Sequence, residues 1–423
     1  MFINLIIYFS VASSLFYFLI RNRIDFLLVF FLSTLLYHWQ IIGGKIIVPP
    51  YTFKASSESM IILSTVLLTH MIITLFHDLI IKERITYKDI SISRKYDVIG
   101  YILCIISLVL TFRAIYFVGF DFVYKDDYLS ALTESNISHV WLHYPAAISI
   151  VYATATKNRI LFLLSFLPML VYGYMGYRAE LIVALVGCLT IYAYNSKFNS
   201  YKSLLIGLTV VTLFSIFALY KVYYFDVRKG YETAVDNFEI RSSYYESTSE
   251  YLIKIFFHNE WGQVASNLSL SSEKDLGKYY ELPKVVVGSI PLTKRFLDIS
   301  EDDIRFSRII RKHANPGFSY GLGSSIWGEA YAALNIFGVI IFSIIVSLTI
   351  AFLNNMFYRS DAIFTFTILF LSFLSFYIHR NDLTLVFAHA KNIIFLLLIA
   401  GFIFILLKYF MLLLSSGKRT TLN

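Results

Sequence analysis

The residues best suited to chemistry are five arginines and two candidate bases. The run Ser300–His313, SEDDIRFSRIIRKH, places Arg305, Arg308, Arg311 and Lys312 on one face of a helix at 100° per residue. Phe306, Ile309, Ile310 and His313 fall on the opposite face. Arg178 and Arg380 stand at the ends of apolar segments elsewhere in the chain. Guanidinium groups make bidentate, permanently charged contacts to phosphate oxygens, so several at one level suit a polyanion such as a pyrophosphate. Glu329 follows the small-residue run Gly323-Ser324-Ser325 and enters an apolar segment, where a poorly solvated carboxylate can take a proton from a hydroxyl. Pairing with an arginine would make the same residue structural, and both readings stand. His313, just before Asn315-Pro316-Gly317, is the competing base or a packing histidine. Glu301, Asp302 and Asp303 complement the positive end of the helix, with Ser300 and Asp303 forming a capping-box-like start.

Ionisable groups near the ends of other apolar segments, Arg113, His143, Glu180 and Asp382, are supporting candidates, because charge at a membrane-spanning helix is expensive. Snorkelling anchors are the alternative for Arg113 and His143. Tyr231, Tyr244, Tyr245, Tyr251, Trp261, Tyr279, Tyr280 and Tyr320 have faces that suit sugar rings; an interfacial aromatic belt is the other reading.

The elements that must position these groups are membrane spans. The chain of 423 residues is 57% hydrophobic with a mean hydropathy of +0.67, which excludes a soluble globular protein of this size. Eleven spans are expected at about 2–20, 24–40, 58–77, 97–118, 138–156, 160–177, 179–196, 203–224, 330–357, 362–379 and 392–415. The loops on one side hold fourteen lysines and arginines against six in the short loops on the other, so the positive-inside rule puts the N-terminus outside and the C-terminus in the cytoplasm. The long segment 226–323 is then extracytoplasmic, and it divides the chain into bundles 1–225 and 324–423. Helices are expected in it at about 233–246, 247–269 and 301–313, packed down on the bundle. The cytoplasmic loops are short and carry no Gly-rich phosphate cradle, which argues against ATP-driven transport by this chain. Cys104 and Cys188, both in apolar runs, read as packing residues. No metal, cofactor or nucleic acid is expected.

Gly176-Tyr177-Arg178-Ala179-Glu180-Leu181-Ile182, Ile290-Pro291, Gly323-Ser324-Ser325 through Glu329-Ala330-Tyr331 to Gly338, and Arg380-Asn381-Asp382 resemble motifs of the Wzy-type oligosaccharide repeat-unit polymerases of O-antigen. The arrangement of many spans with one large outer loop before the last few is similar to that family too. The resemblance implies an all-α, GT-C-like polytopic glycosyltransferase of the bacterial inner membrane. It would use undecaprenyl-pyrophosphate-linked oligosaccharides as donor and acceptor, with a chain-length-regulating co-polymerase as membrane partner. Carried onto these residues, it implies that Arg178, Arg305, Arg308, Arg311 and Arg380 bind pyrophosphate and that Glu329 is the base or orients the acceptor. An O-antigen ligase is the near alternative, since Arg311-Lys312-His313 is similar to the loop His beside an Arg in ligases. A flippase for the same lipid-linked sugars is the alternative of a different class. It would carry charge through the depth of the bundle, whereas charge here gathers at one face.

Overall fold

The computed structural model describes residues 2–21, 23–48, 51–81, 94–118, 139–174, 179–194, 212, 216, 219–220, 222–223, 226–227, 229–258, 260–274, 276–290, 293–297, 299–313, 324–358 and 364–417. Helices lie over ten of the eleven expected spans; the other, 203–224, falls mostly outside the described residues. Among the described residues, five helices are long and apolar enough to cross a membrane: Phe2–Arg21, Ser57–Ile80, Arg94–Phe117, Ile326–Phe357 and Leu383–Leu412. Shorter apolar helices cover Phe26–Ile42, Arg159–Tyr174, Ala179–Ala193 and Thr365–Arg380. Two expected starts shift: the helix expected from 330 begins at Ile326, and the one expected from 392 begins at Leu383. The chain forms two compact units.

The first unit takes Met1–Lys88, Ala193–Asn355 and Leu371–Ala388. It begins with α1 (Phe2–Arg21) and α2 (Phe26–Ile42), followed by the hairpin β1 (Lys45–Val48) and β2 (Tyr51–Lys54) and by α3 (Ser57–Ile81). Strands pair antiparallel with Lys45 opposite Lys54 and Val48 opposite Tyr51. A buried ion cluster ties the helix ends. Arg21 holds both oxygens of Asp25 at 2.7 and 2.6 Å and reaches Asp78 of α3 at 2.6 Å through Nε. Tyr17 donates to Asp78, and Asp25 also caps α2 by accepting from the Leu28 N–H.

The long segment packs onto this bundle through α10 below. It contains α8 (Tyr231–Ser243), α9 (Thr248–His258), α10 (Glu260–Glu273), α11 (Leu282–Ser289) and α12 (Phe306–His313), the numbers α4 to α7 belonging to the second unit. Helices α9 and α10 lie over the helix expected at 247–269, residue 259 between them falling outside the described residues, and the helix expected over 301–313 is broken into a turn, Glu301–Ile304, and α12. Helix α10 lies against α2, β1 and α3. At Gly262 the approach is close enough that a Cβ would sit 2.2 Å from the Ile47 carbonyl oxygen, which only glycine avoids. Ser269 and Ser272 hydrogen-bond Ser56 at the start of α3.

Helix α13 (Ile326–Tyr358) is kinked at Leu334 and Asn335, where Asn335 has φ +52°. Gly338 permits the kink, since a Cβ there would lie 2.0 Å from the Ala330 carbonyl oxygen. Helix α14 (Thr365–Arg380) contains a π-helical turn over Phe373–Tyr377, and α15 (Leu383–Gly417) follows. The π turn is anchored to α2: Ser33 donates to the Ser375 carbonyl at 2.6 Å and lies 3.0 Å from His379 Nε2. Trp327 of α13 donates to His379 Nδ1 at 3.0 Å. An indole N–H can only donate, so Nδ1 is the acceptor and the ring proton sits on Nε2, directed at the Ser33 hydroxyl.

The second unit takes Asp89–Tyr192, Met356–Phe370 and His389–Asn423. Its helices α4 (Asp97–Val118), α5 (His139–Ala155) and α6 (Arg159–Tyr174) pack together, with α7 (Ala179–Tyr194) after them. Polar side chains replace apolar ones where backbones meet: Ser107 donates to the Leu142 carbonyl at 2.6 Å and Ser149 to that of Gly100 at 2.7 Å. Asp97 receives Tyr152 and Asn158, and Tyr152 stacks on Phe366. Tyr144 hydrogen-bonds His389. Cys104 is buried and Cys188 half-buried; both are free thiols.

Removing one partner from a buried ion pair leaves the other uncompensated and typically costs about 3–5 kcal/mol. Both Asp25→Ala and Asp25→Asn are expected to lower the thermal midpoint of the purified protein, and Asp25→Ala more, because Asn can keep the cap on α2. Equal midpoints for wild type and Asp25→Ala would remove the cluster from the account of stability.

Candidate functional site

The segment Glu301–His313 meets the start of α13 and the α14–α15 junction, all within the first unit. As expected, the Ser300 hydroxyl accepts from the Asp303 N–H at 3.3 Å and donates to the Asp303 carboxylate at 2.7 Å. The helix then breaks at Arg305, because the Ile304 carbonyl is taken by the Thr384 hydroxyl of α15 at 2.9 Å. The Arg305 carbonyl starts α12 by accepting from Arg308 and Ile309. Phe306, Ile309 and Ile310 are buried among Leu276, Tyr280, Val285 and Ile304, with Leu383 and Ala332 packed against them. The amphipathic reading thus holds for those three residues. His313 departs from it: its ring is exposed and stacked on Tyr279 at 3.7 Å.

Glu329 is wholly buried in the first turn of α13. Its Oε1 accepts from the Tyr280 hydroxyl at 2.7 Å and its Oε2 from the Leu383 N–H at 2.6 Å. The second contact uses an amide at the N-terminus of α15, where donors lack a helical acceptor and the helix dipole favours negative charge. Asp382, also wholly buried, caps the same helix by accepting from the Leu385 N–H at 3.0 Å. Burial pushes the Asp382 carboxyl up from its ordinary range, opposed by that amide, by the Arg305 charge and by Ser307. Tyr280 is held well above the usual phenol range, first by burial and then by the charges of Glu329 and Asp382. It therefore stays protonated and serves as a donor.

The structure brings together Arg305, Glu329 and Asp382, together with the first turns of α12 and α15. Arg305, Arg308 and Arg311 are half-buried, and Lys312 is exposed. Arg380 is half-buried two residues before Asp382, its guanidinium over the Tyr377 ring. In the second unit, Arg113 is exposed over Phe117, His143 is buried with its ring 4.1 Å from that of Tyr172, and Glu180 is buried in the first turn of α7. Arg178 and Tyr320 lie outside the described residues.

Of the aromatics expected to face sugars, Tyr251 and Tyr280 are buried and hydrogen-bonded, to Tyr223 and Glu329 respectively. Trp261 packs its edge against Tyr37. Tyr231, Tyr244 and Tyr279 keep exposed rings. The Trp327–His379–Ser33 chain lies outside the candidate site residues. Its signal in the sequence is the pair of histidines, His38 and His379, inside apolar runs, where an imidazole needs polar partners.

The architecture is that of a helical membrane protein whose long inter-helix segment folds onto a pair of buried carboxylates at the starts of its last long helices. Residues 301–412 match the family model described as O-antigen polysaccharide polymerase Wzy. The match spans Arg305, Glu329 and Asp382 together. No curated protein and no solved structure matches the chain.

Tyr280→Phe removes one of the two donors to a fully buried carboxylate, a loss of about 1–3 kcal/mol or more. The variant is expected to unfold at a lower temperature, with Glu329→Gln less damaging than Glu329→Ala. An unchanged midpoint for Tyr280→Phe would show that the hydrogen bond does not secure the segment.

Proposed function

We propose that the chain is an oligosaccharide repeat-unit polymerase of the bacterial inner membrane, with a GT-C-like arrangement, its N-terminus and its long segment periplasmic and its C-terminus cytoplasmic. Both substrates are undecaprenyl-pyrophosphate-linked oligosaccharides. The bond between the donor's anomeric carbon and its phosphate oxygen breaks, the acceptor hydroxyl oxygen bonds to that carbon, its proton passes to a base, and undecaprenyl pyrophosphate leaves. The observation that carries the reading is the family match over 301–412.

Charge builds on the departing phosphate, so leaving-group stabilisation is the main requirement. In this reading Arg305, Arg308, Arg311 and Arg380 supply it from the first unit, and Arg178 joins them. Arg113, His143, Glu180, Asp382 and Tyr320 support the site. Glu329 has no exposed surface and two donors already, so it acts by positioning the α15 N-terminus and the Tyr280 segment. His313, exposed at the end of α12, is the base that an acceptor hydroxyl can reach. A chain-length-regulating co-polymerase is the proposed membrane partner.

Complementation of a polymerase-null strain tests this by the surface-polysaccharide ladder. The wild-type chain is expected to restore a full ladder. Arg178→Ala, Arg308→Ala and Arg380→Ala are each expected to reduce polymer by about a hundredfold or more, the usual effect of losing one such donor. Arg→Lys should fail nearly as badly if bidentate geometry matters. A null strain that lacks surface sugar altogether would point to a flippase, and one that retains polymer on its lipid carrier to a ligase. A full ladder from Arg178→Ala would remove that residue from the mechanism.

A further inference from the structure

Tyr279 and Tyr280 are consecutive and point to opposite sides of the segment. Tyr280 turns inward onto Glu329, and Tyr279 turns outward to stack on His313 with the rings 7° from parallel. Tyr279 remains 52% exposed, so one face of its ring is covered and the other is open. The two rings border a cleft of about 80 Å³ lined also by Glu281, Lys284, Asp303, Ile309 and Lys312. Its floor is Ile309 of the buried face of α12. Its walls hold two carboxylates and two ammonium groups, part of them pre-oriented: Lys284 lies 3.5 Å from Glu281, and Asp303 is fixed by the Ser300 hydroxyl.

An open aromatic face beside a balanced set of acceptors and donors is the chemistry that recognises a pyranose ring. The apolar C–H face of the sugar lies on the ring, while its hydroxyls each need both a donor and an acceptor. Its two carboxylates balance its two ammonium groups, so the cleft has no excess positive charge to select a phosphate or other polyanion. A cleft of this size admits the edge of one sugar with its face over Tyr279. The pair is also rigidly held, Tyr279 by the anchoring of its neighbour Tyr280 and His313 by the buried residues of its own helix.

We propose that this cleft is a saccharide subsite, separate from the arginines, that binds a terminal pyranose of the incoming repeat unit through Tyr279, with Glu281, Lys284, Asp303 and Lys312 contacting its hydroxyls. The assignment rests on the polymerase reading for the identity of the sugar's carrier. It puts the acceptor beside the His313 imidazole, on the outer side of the segment whose inner side closes over Glu329.

The test uses the full-length protein in nanodiscs and, as probe, the free repeat-unit oligosaccharide released from its lipid. Diethyl pyrocarbonate modifies exposed imidazoles, and mass spectrometry reads His313 individually. The oligosaccharide is expected to protect His313 in the wild type, and Tyr279→Ala to need roughly three- to tenfold more of it for the same protection, in line with an aromatic contact of about 0.5–1.5 kcal/mol. Tyr279→Phe should behave as wild type. No protection of the wild type at concentrations that inhibit polymer formation would overturn the subsite, and this holds even if Tyr279→Ala fails to fold. Failure to make polymer, with His313 still protected, would instead count against the polymerase reading and leave the saccharide site standing.

Discussion

A carboxylate with no access to water must find its hydrogen bonds within the protein, and Glu329 finds them in two places far apart in sequence. A buried carboxyl group left without its hydrogen bonds costs about 1–3 kcal/mol or more, a sizeable part of the stability of any domain. The demand for donors therefore fixes the positions of whatever supplies them. Tyr280 brings the long segment down onto α13, and Leu383 brings in the start of α15. Asp382 deepens the same constraint, because a second buried carboxyl beside the first requires Arg305 and the amides of α15 to stand close. The apolar contacts of Phe306, Ile309 and Ile310 then seal a joint whose geometry the polar groups have set.

The same logic recurs deeper in the first unit. The π turn in α14 places His379 where Trp327 and Ser33 reach it, and Ser33 also meets the Ser375 carbonyl. Trp327 is two residues before Glu329, so the first turn of α13 is pinned on one side to α2 and α14 and on another to the long segment. The kink at Leu334 and Asn335 separates this pinned stretch from the rest of α13. A non-glycine residue at φ +52° is unfavourable, and it persists where surrounding contacts over-determine it.

What was legible in the sequence is what depends on near neighbours. The cap at Ser300, the apolar stripe Phe306–Ile309–Ile310 and most of the apolar helices follow from spacing alone. The break at Arg305 does not, because it needs the Thr384 hydroxyl eighty residues away to claim the Ile304 carbonyl. Tyr280 has the composition of a sugar-facing aromatic and becomes a buried donor because of Glu329, a distant partner that no local pattern reveals. The early start of α15 was hidden by Thr384, His389 and Lys391, polar residues that dilute the hydropathy of its first turns while Asp382 caps them. The arginine face was readable as a pattern, and its half-buried state follows from the docking of α12.

The bond from Leu383 to Glu329 joins residues 54 positions apart, and this orders events during synthesis. When Glu329 has emerged from the ribosome, its carboxylate has neither its α15 donor nor the Thr384 hydroxyl that bends the preceding segment. At about 5–20 residues per second, Leu383 follows roughly 3 to 10 seconds later. Over that interval the long segment, though already made, lacks the α15 contacts made through Ile304 and Glu329. A nascent chain stopped before α15 should then expose the segment to protease, and the last long helix becomes the one that closes the assembly.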